Sequence, residues 1–204
     1  GLNPVNWNGT DWEAVGSNEN WDYNYNSVAI TEHNTVAGKG NGKWANAQTA
    51  DGSMYVWIPR FSYKILSGEH SSGDSWSKSG ETATNRIDIK FSTGTTDNTS
   101  DGYIAHPAFT FGDDELAGFW IAKYEASSGL TGLESKPSVQ VSTLELNDAY
   151  EQAYNAFREA DSHLIKNSEW GAVAYLTNAI GRIPYINNYG GNQKMRPISD
   201  ATGY

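Results

Sequence analysis

Met54-Tyr55-Val56-Trp57-Ile58-Pro59 is an apolar run of strand length that Pro59 terminates, and its reading decides the fold. A run this short, rich in β-branched and aromatic residues, predicts a buried strand. Downstream, Phe61, Tyr63 and Ile65 alternate with polar residues, and so do Ile87, Ile89 and Phe91, which predicts two half-buried strands. Gly118-Phe119-Trp120-Ile121-Ala122-Lys123-Tyr124-Glu125 predicts another. Between them, Ser67 to Asn85 and Ser92 to Gly102 are polar and rich in turn formers, and read as surface loops. Upstream, Val5-Asn6-Trp7-Asn8-Gly9-Thr10-Asp11-Trp12 sets Asn-Gly between two Trp-bearing runs, a hairpin signal. Trp21, Tyr23 and Tyr25 alternate with Asp22 and Asn24, again at strand period.

Two helices follow the strands. In Leu146 to Ala160, the positions Leu146, Ala149, Tyr150, Ala153, Tyr154 and Phe157 step by three and four along one face, with Asn147 or Asp148 near the start. In Asn167 to Leu176, Asn167 is placed to cap, and Trp170, Val173 and Ala174 share a face. The expected core is Trp57, Trp120, Trp170, Phe119, Ile121, Val173 and Tyr154 buried together. The whole reads as α+β, with an aromatic-rich β appendage over 1–50 and the main domain over 51–204.

Composition narrows the function. With 14 Lys+Arg against 24 Asp+Glu and a net charge of −10, the chain lacks the basic face a phosphate-backbone binder needs, so no nucleic-acid partner is expected. The absence of Cys removes thiol catalysis, disulfides and thiolate metal sites. The longest apolar stretches are core-sized, so no membrane insertion is expected. His33, His70, His106 and His163 show no metal-ligand spacing.

Four stretches together resemble the formylglycine-generating-enzyme-like (sulfatase-modifying-factor) domain. Met54 to Pro59 resembles its opening strand, and Gly118 to Glu125 its central strand, usually an aromatic followed by I-x-K-Y-E-V-T. Lys136-Pro137-Ser138-Val139-Gln140-Val141-Ser142 resembles the P-V-x-x-V-S step before its first helix. Leu164-Ile165-Lys166-Asn167-Ser168-Glu169-Trp170 resembles the L-P-T-E-A-E-W that opens the second. The resemblance covers roughly residues 54–176 and implies a C-type-lectin-like fold of short irregular strands and two helices on a small twisted sheet. This chain departs from the family in its missing cysteines, in Arg60-Phe61 where a Gly pair is usual, and in Lys166 where the family has Thr. The later G-N-V-W-E-W segment has no counterpart before Tyr204, so the domain is expected without its usual C-terminal part. The same fold serves as a ligand-binding scaffold in phage tail and bacterial surface proteins, and the stretches Trp57 to Ile65, His106 to Gly112 and Ser168 to Leu176 also resemble a cysteine-free subgroup seen in phage structural and bacterial surface proteins.

The candidate site is the segment Tyr185-Ile186-Asn187-Asn188-Tyr189-Gly190-Gly191-Asn192. Tyr185, Asn187, Asn188 and Tyr189 supply stacking faces and amides without net charge, as paratope loops do. An ordinary long loop is the alternative reading of that segment. Trp7, Trp12, Trp21, Tyr23 and Tyr25, interleaved with Asn and Asp, suit a sugar surface equally in chemistry, but a small aromatic core is the preferred reading. Asp113, Asp114 and Glu115, and separately Asp97, Asn98 and Asp101, offer hard oxygens for calcium, although solvated acidic turns explain them more simply. No other cofactor, no metal ligand and no catalytic residue is expected. Glu125 and Glu169 are read as structural partners, with Lys123 and Arg60 as nearest counter-charges.

The expectation is a non-enzymatic recognition or attachment module, extracellular, on a virion, phage tail or cell surface. It would bind a host-surface glycan or protein and work within an oligomer or assembly. The alternatives are a packing subunit joined to neighbouring subunits in a virion or extracellular filament, and a divergent enzyme of the parent family.

Overall fold

The computed structural model describes residues 1–8, 10–16, 44–66, 87–128, 132–137 and 144–179. Trp21 to Tyr25, the loop at 67–85 and the candidate segment 185–192 lie outside the described residues.

The described chain is α+β. Strands β1 (Asn3–Trp7), β2 (Trp12–Ala14), β3 (Asn46–Gln48), β4 (Met54–Pro59) and β10 (Gly118–Ala122) form one antiparallel sheet in the order β10-β4-β3-β1-β2. The boundary expected at residue 50 falls inside this sheet, because β3 pairs with both β1 and β4. The expected hairpin forms with Trp7 opposite Trp12. Its turn is built by Asn8, whose Oδ1 accepts the Thr10 and Asp11 N–H groups at 2.8 Å each.

After Pro59 the chain bends at Arg60 into a second sheet, β6 (Ile87–Phe91), β5 (Phe61–Ile65) and β7 (Ile104–Ala105). Two short hairpins, β8 (Thr110–Phe111) with β9 (Asp114–Glu115) and β11 (Ser127–Ser128) with β12 (Leu133–Glu134), complete the strands. The helices are α1 (Leu146–Ala156), continued by a 3₁₀ turn at Arg158–Ala160, and α2 (Asn167–Ala179).

Strand alternation sorts the side chains. Val56 and Ile58 of β4 lie opposite Ile121 and Phe119 of β10, and this face packs on α2. Phe61, Ile89, Ala108 and Phe109 join Ala172, Leu176 and Ala179 in the same cluster. Phe119, Ile121 and Val173 therefore line the core as expected, but the four other residues of that set do not. Trp57 and Trp120 are register partners on the opposite face, with ring centroids 5.4 Å apart. Tyr154 lies parallel to Tyr150 on α1, and Trp170 is half-buried outside the cluster. The expected face of α1 is covered only in part. Ala153 is buried, while Leu146 and Tyr150 are 66% and 55% exposed.

Candidate functional site

The β3–β4 connection is a tight turn. Gly52 donates to the Thr49 carbonyl at 2.9 Å and takes φ +91°, a left-handed conformation that glycine adopts without strain. The turn folds Asp51 back over its own backbone, where its carboxylate accepts hydrogen bonds from Thr49 Oγ1 and, at 2.7 Å, from Ser53 Oγ. Buried Ser53 in turn accepts the Ser135 N–H at 3.0 Å, which locks the turn to the segment following β12. Ser135 Oγ closes this network by bonding to the Met54 carbonyl at 3.0 Å. Lys136 Nζ lies 2.8 Å from Glu134 and 3.7 Å from Asp51.

On the face of β4 away from the main core, Tyr55 meets Phe157 edge-on, with centroids 5.6 Å apart. Phe157 closes the end of α1, so this contact sets the helix beside the turn. Between them lies a cleft of about 540 Å³, lined by Thr49, Asp51, Ser53, Tyr55, Leu133 and the Asp148, Glu151, Gln152, Asn155 and Phe157 positions. Its size is that of a small-molecule site. Burial pushes the Asp51 carboxyl up. Hydrogen bonds from Thr49 and Ser53 and the Lys136 charge outweigh that and hold it below the usual carboxylate range. Burial, reinforced by the Asp51 charge, raises the Tyr55 phenol, which therefore stays protonated and able to donate. The cleft thus combines an aromatic wall, a fixed ionised acceptor, a phenol donor and two amides.

Tyr185, Asn187, Asn188 and Tyr189 lie outside the described residues. The acidic groups weighed for calcium are engaged elsewhere in part. Asp97 grips Arg60 through two 2.7 Å bonds, and Glu115 lies 2.6 Å from the same guanidinium. Asp101 pairs with Lys90 at 3.1 Å. Among the described residues, no three His, Asp or Glu side chains converge as a metal site. Arg60 is 4% exposed and also donates to the Phe109 carbonyl at 2.9 Å, so the loop 92–102 is tied to the core instead of standing free.

Arg60 is thus not the counter-charge of Glu125 or Glu169. Glu169 instead accepts the Lys166 N–H at 2.8 Å and contacts His163 Nε2 at 2.9 Å. Lys123 donates to Asn46 Oδ1 at 2.8 Å and sits 4.1 Å over the Trp12 ring. Trp7 is 53% exposed at the hairpin end, so it is not core, whereas Trp12 is half-buried against it.

Sequence reasoning missed the cleft. The available signal was the set Asp148, Glu151, Gln152 and Asn155, which recurs at helical spacing beside the small residues Ala149 and Ala153. Among the described residues, no helix is long and apolar enough to cross a membrane. No family model matches the chain, and no curated protein matches it.

Proposed function

We propose that the chain is a non-enzymatic recognition module of C-type-lectin-like fold that binds a surface glycan in the cleft between the Thr49–Ser53 turn and α1. The observation that carries the reading is the cleft's wall chemistry. The C–H faces of a sugar pack on the Tyr55–Phe157 edge, while its hydroxyls find the Asp51 carboxylate and the Gln152 and Asn155 amides. Asp51, held ionised by two hydroxyl donors, is arranged to accept hydrogen bonds and not to deliver a proton. The fold assignment draws support from the resemblance over roughly residues 54–176 and from the α+β arrangement of helices on antiparallel sheets. Display on a virion, phage tail or bacterial surface rests on that resemblance alone. Tyr185, Asn187, Asn188 and Tyr189 enter the proposal as a second contact, on their chemistry.

A packing-subunit reading has one observation in its favour. Leu146 and Tyr150 are exposed along one stripe of α1, with Tyr154 parallel to Tyr150 and Arg158 over the Tyr154 ring. Such a stripe suits a neighbouring subunit.

The test is an NMR titration of labelled protein with a panel of neutral and amine-bearing oligosaccharides. Shifts are expected to map to the Thr49–Tyr55 and Asp148–Phe157 segments. Gln152→Ala combined with Asn155→Ala should weaken binding by about thirtyfold, for the loss of two hydrogen bonds worth ~1 kcal/mol each, with the melting temperature held. A panel that leaves both segments unmoved overturns the reading, and shortened oligosaccharides after incubation overturn its non-enzymatic part.

A further inference from the structure

The charges around the cleft are unequal. Asp51, Asp148 and Glu151 line it together with Gly1, whose α-ammonium is the one cation among the described lining residues, and Lys136 is the cation paired with Asp51. That cation is already spoken for, since its ammonium lies 2.8 Å from Glu134 and 0.9 Å farther, at 3.7 Å, from Asp51. Asp148 and Glu151 are exposed on α1 about one turn apart, and they line the cleft together with Asp51, which its own hydrogen bonds hold fixed. The aromatic pair of Tyr55 and Phe157 lines the same cleft as these three carboxylates. A ring with an apolar face and a cationic substituent meets both features at once. A neutral ring satisfies only the wall, and an acidic one is repelled both locally and by the −10 chain.

We infer that the cleft selects amine-bearing sugars, of the glucosamine class, over their neutral N-acylated counterparts. This inference rests on the recognition reading above and adds the ligand's charge to it. The sugar's C–H face lies on Tyr55 and Phe157, and its ammonium sits between Asp51 and the Asp148–Glu151 pair. Asp51 stays ionised under mildly acidic conditions, where such an amine is charged, because Thr49, Ser53 and Lys136 stabilise its carboxylate.

The test compares a glucosamine tetramer with the N-acetylglucosamine tetramer of the same length by calorimetry at mildly acidic pH. The amine form should bind about tenfold tighter at low salt, the size expected from two partly exposed ion pairs. Raising the salt should shrink that margin, since exposed charges are screened. In the double variant Asp148→Asn with Glu151→Gln, the two affinities should come to within about twofold of each other, a residual preference set by Asp51 alone. Equal affinities for the two tetramers in the unmodified protein overturn the charge selection while leaving recognition standing. A margin that survives both salt and the double variant also overturns it. Absence of binding by both tetramers, with no cleft shifts from any other oligosaccharide, overturns recognition itself.

Discussion

Gly118 opens β10 opposite Pro59, and a methyl group at its Cα would lie 2.5 Å from the Ile58 carbonyl oxygen and 2.5 Å from the Trp57 ring. One of those neighbours is backbone, so relief requires β10, an edge strand of the main sheet, to move away from β4. Gly118→Ala should cost about 1–3 kcal/mol, the range for an overpacked core position, and lower the melting temperature accordingly. Gly171, in the middle of α2, is the contrasting case. A Cβ there meets the His106 ring at 3.8 Å, an ordinary contact. Gly171→Ala should hold or raise stability by up to about 1 kcal/mol, because alanine is the better helix residue. Parallel thermal melts check both, and similar behaviour of the two variants would mean that the strand contact is not as close as described. Arg60 shows the same dependence on place. Its guanidinium is buried, but two carboxylates and the Phe109 carbonyl receive its donors, so the bend between the two sheets carries a charge at low cost.

The start of α2 has no Ser, Thr or Asp at its cap. Trp170 N–H donates to the Lys166 carbonyl at 2.9 Å, which makes Lys166 the cap, and its side chain lies over the Phe111 ring. The cap is completed from inside the helix, where Glu169 reaches back to the Lys166 N–H and also holds His163. Glu169→Ala should destabilise by about 1–2 kcal/mol in urea denaturation, with Glu169→Gln losing roughly half as much because its amide retains one acceptor. Equal losses would show that packing, not capping, is what Glu169 supplies. The element level is also where sequence reading succeeds and fails for physical reasons. Alternation in Phe61–Ile65 and Ile87–Phe91 marks two real strands because each has one face in the core. Met54–Pro59 is apolar on both faces, so its pattern carries no orientation. Only its register with β10 separates Trp57 and Trp120 from Ile58 and Phe119. The period of α1 is legible and Ala153 is buried on the expected face, but how far that face is covered is not, since Leu146 and Tyr150 on the same face are exposed. Local pattern carries only the helical wall of the cleft, as the turn and strand that complete it lie about a hundred residues earlier in sequence.

At the scale of the whole molecule, the second sheet and α2 meet around one imidazole. His106 is 4% exposed, enclosed by the rings of Phe61, Tyr63, Phe109 and Tyr175, and its Nδ1 accepts the Ala108 N–H at 3.2 Å. Burial lowers its pKa from 6.5 to about 4. Above the unfolded value the ring is neutral in both states and the folded protein keeps its full stability. As pH falls from there, the unfolded chain takes up a proton that the folded one refuses, so stability falls until the folded value is passed. The whole loss amounts to about 3 kcal/mol. A second loss follows at lower pH, where Asp97, held down by its hydrogen bonds from Arg60, and Asp51, held down by Thr49 and Ser53, must protonate. His106→Asn keeps an acceptor for the Ala108 N–H and removes the titrating ring, so it separates the two losses. Urea denaturation at about pH 7 and about pH 4.5 should show the unmodified protein losing roughly 2–3 kcal/mol between them, and the variant less than about 1 kcal/mol. The variant starts from a lower stability at neutral pH because ring contacts are gone, so the difference between the two conditions is the quantity that counts. An undiminished difference in His106→Asn would place the acid sensitivity in the carboxylates around Arg60 and free the sheet–helix junction from any part in it.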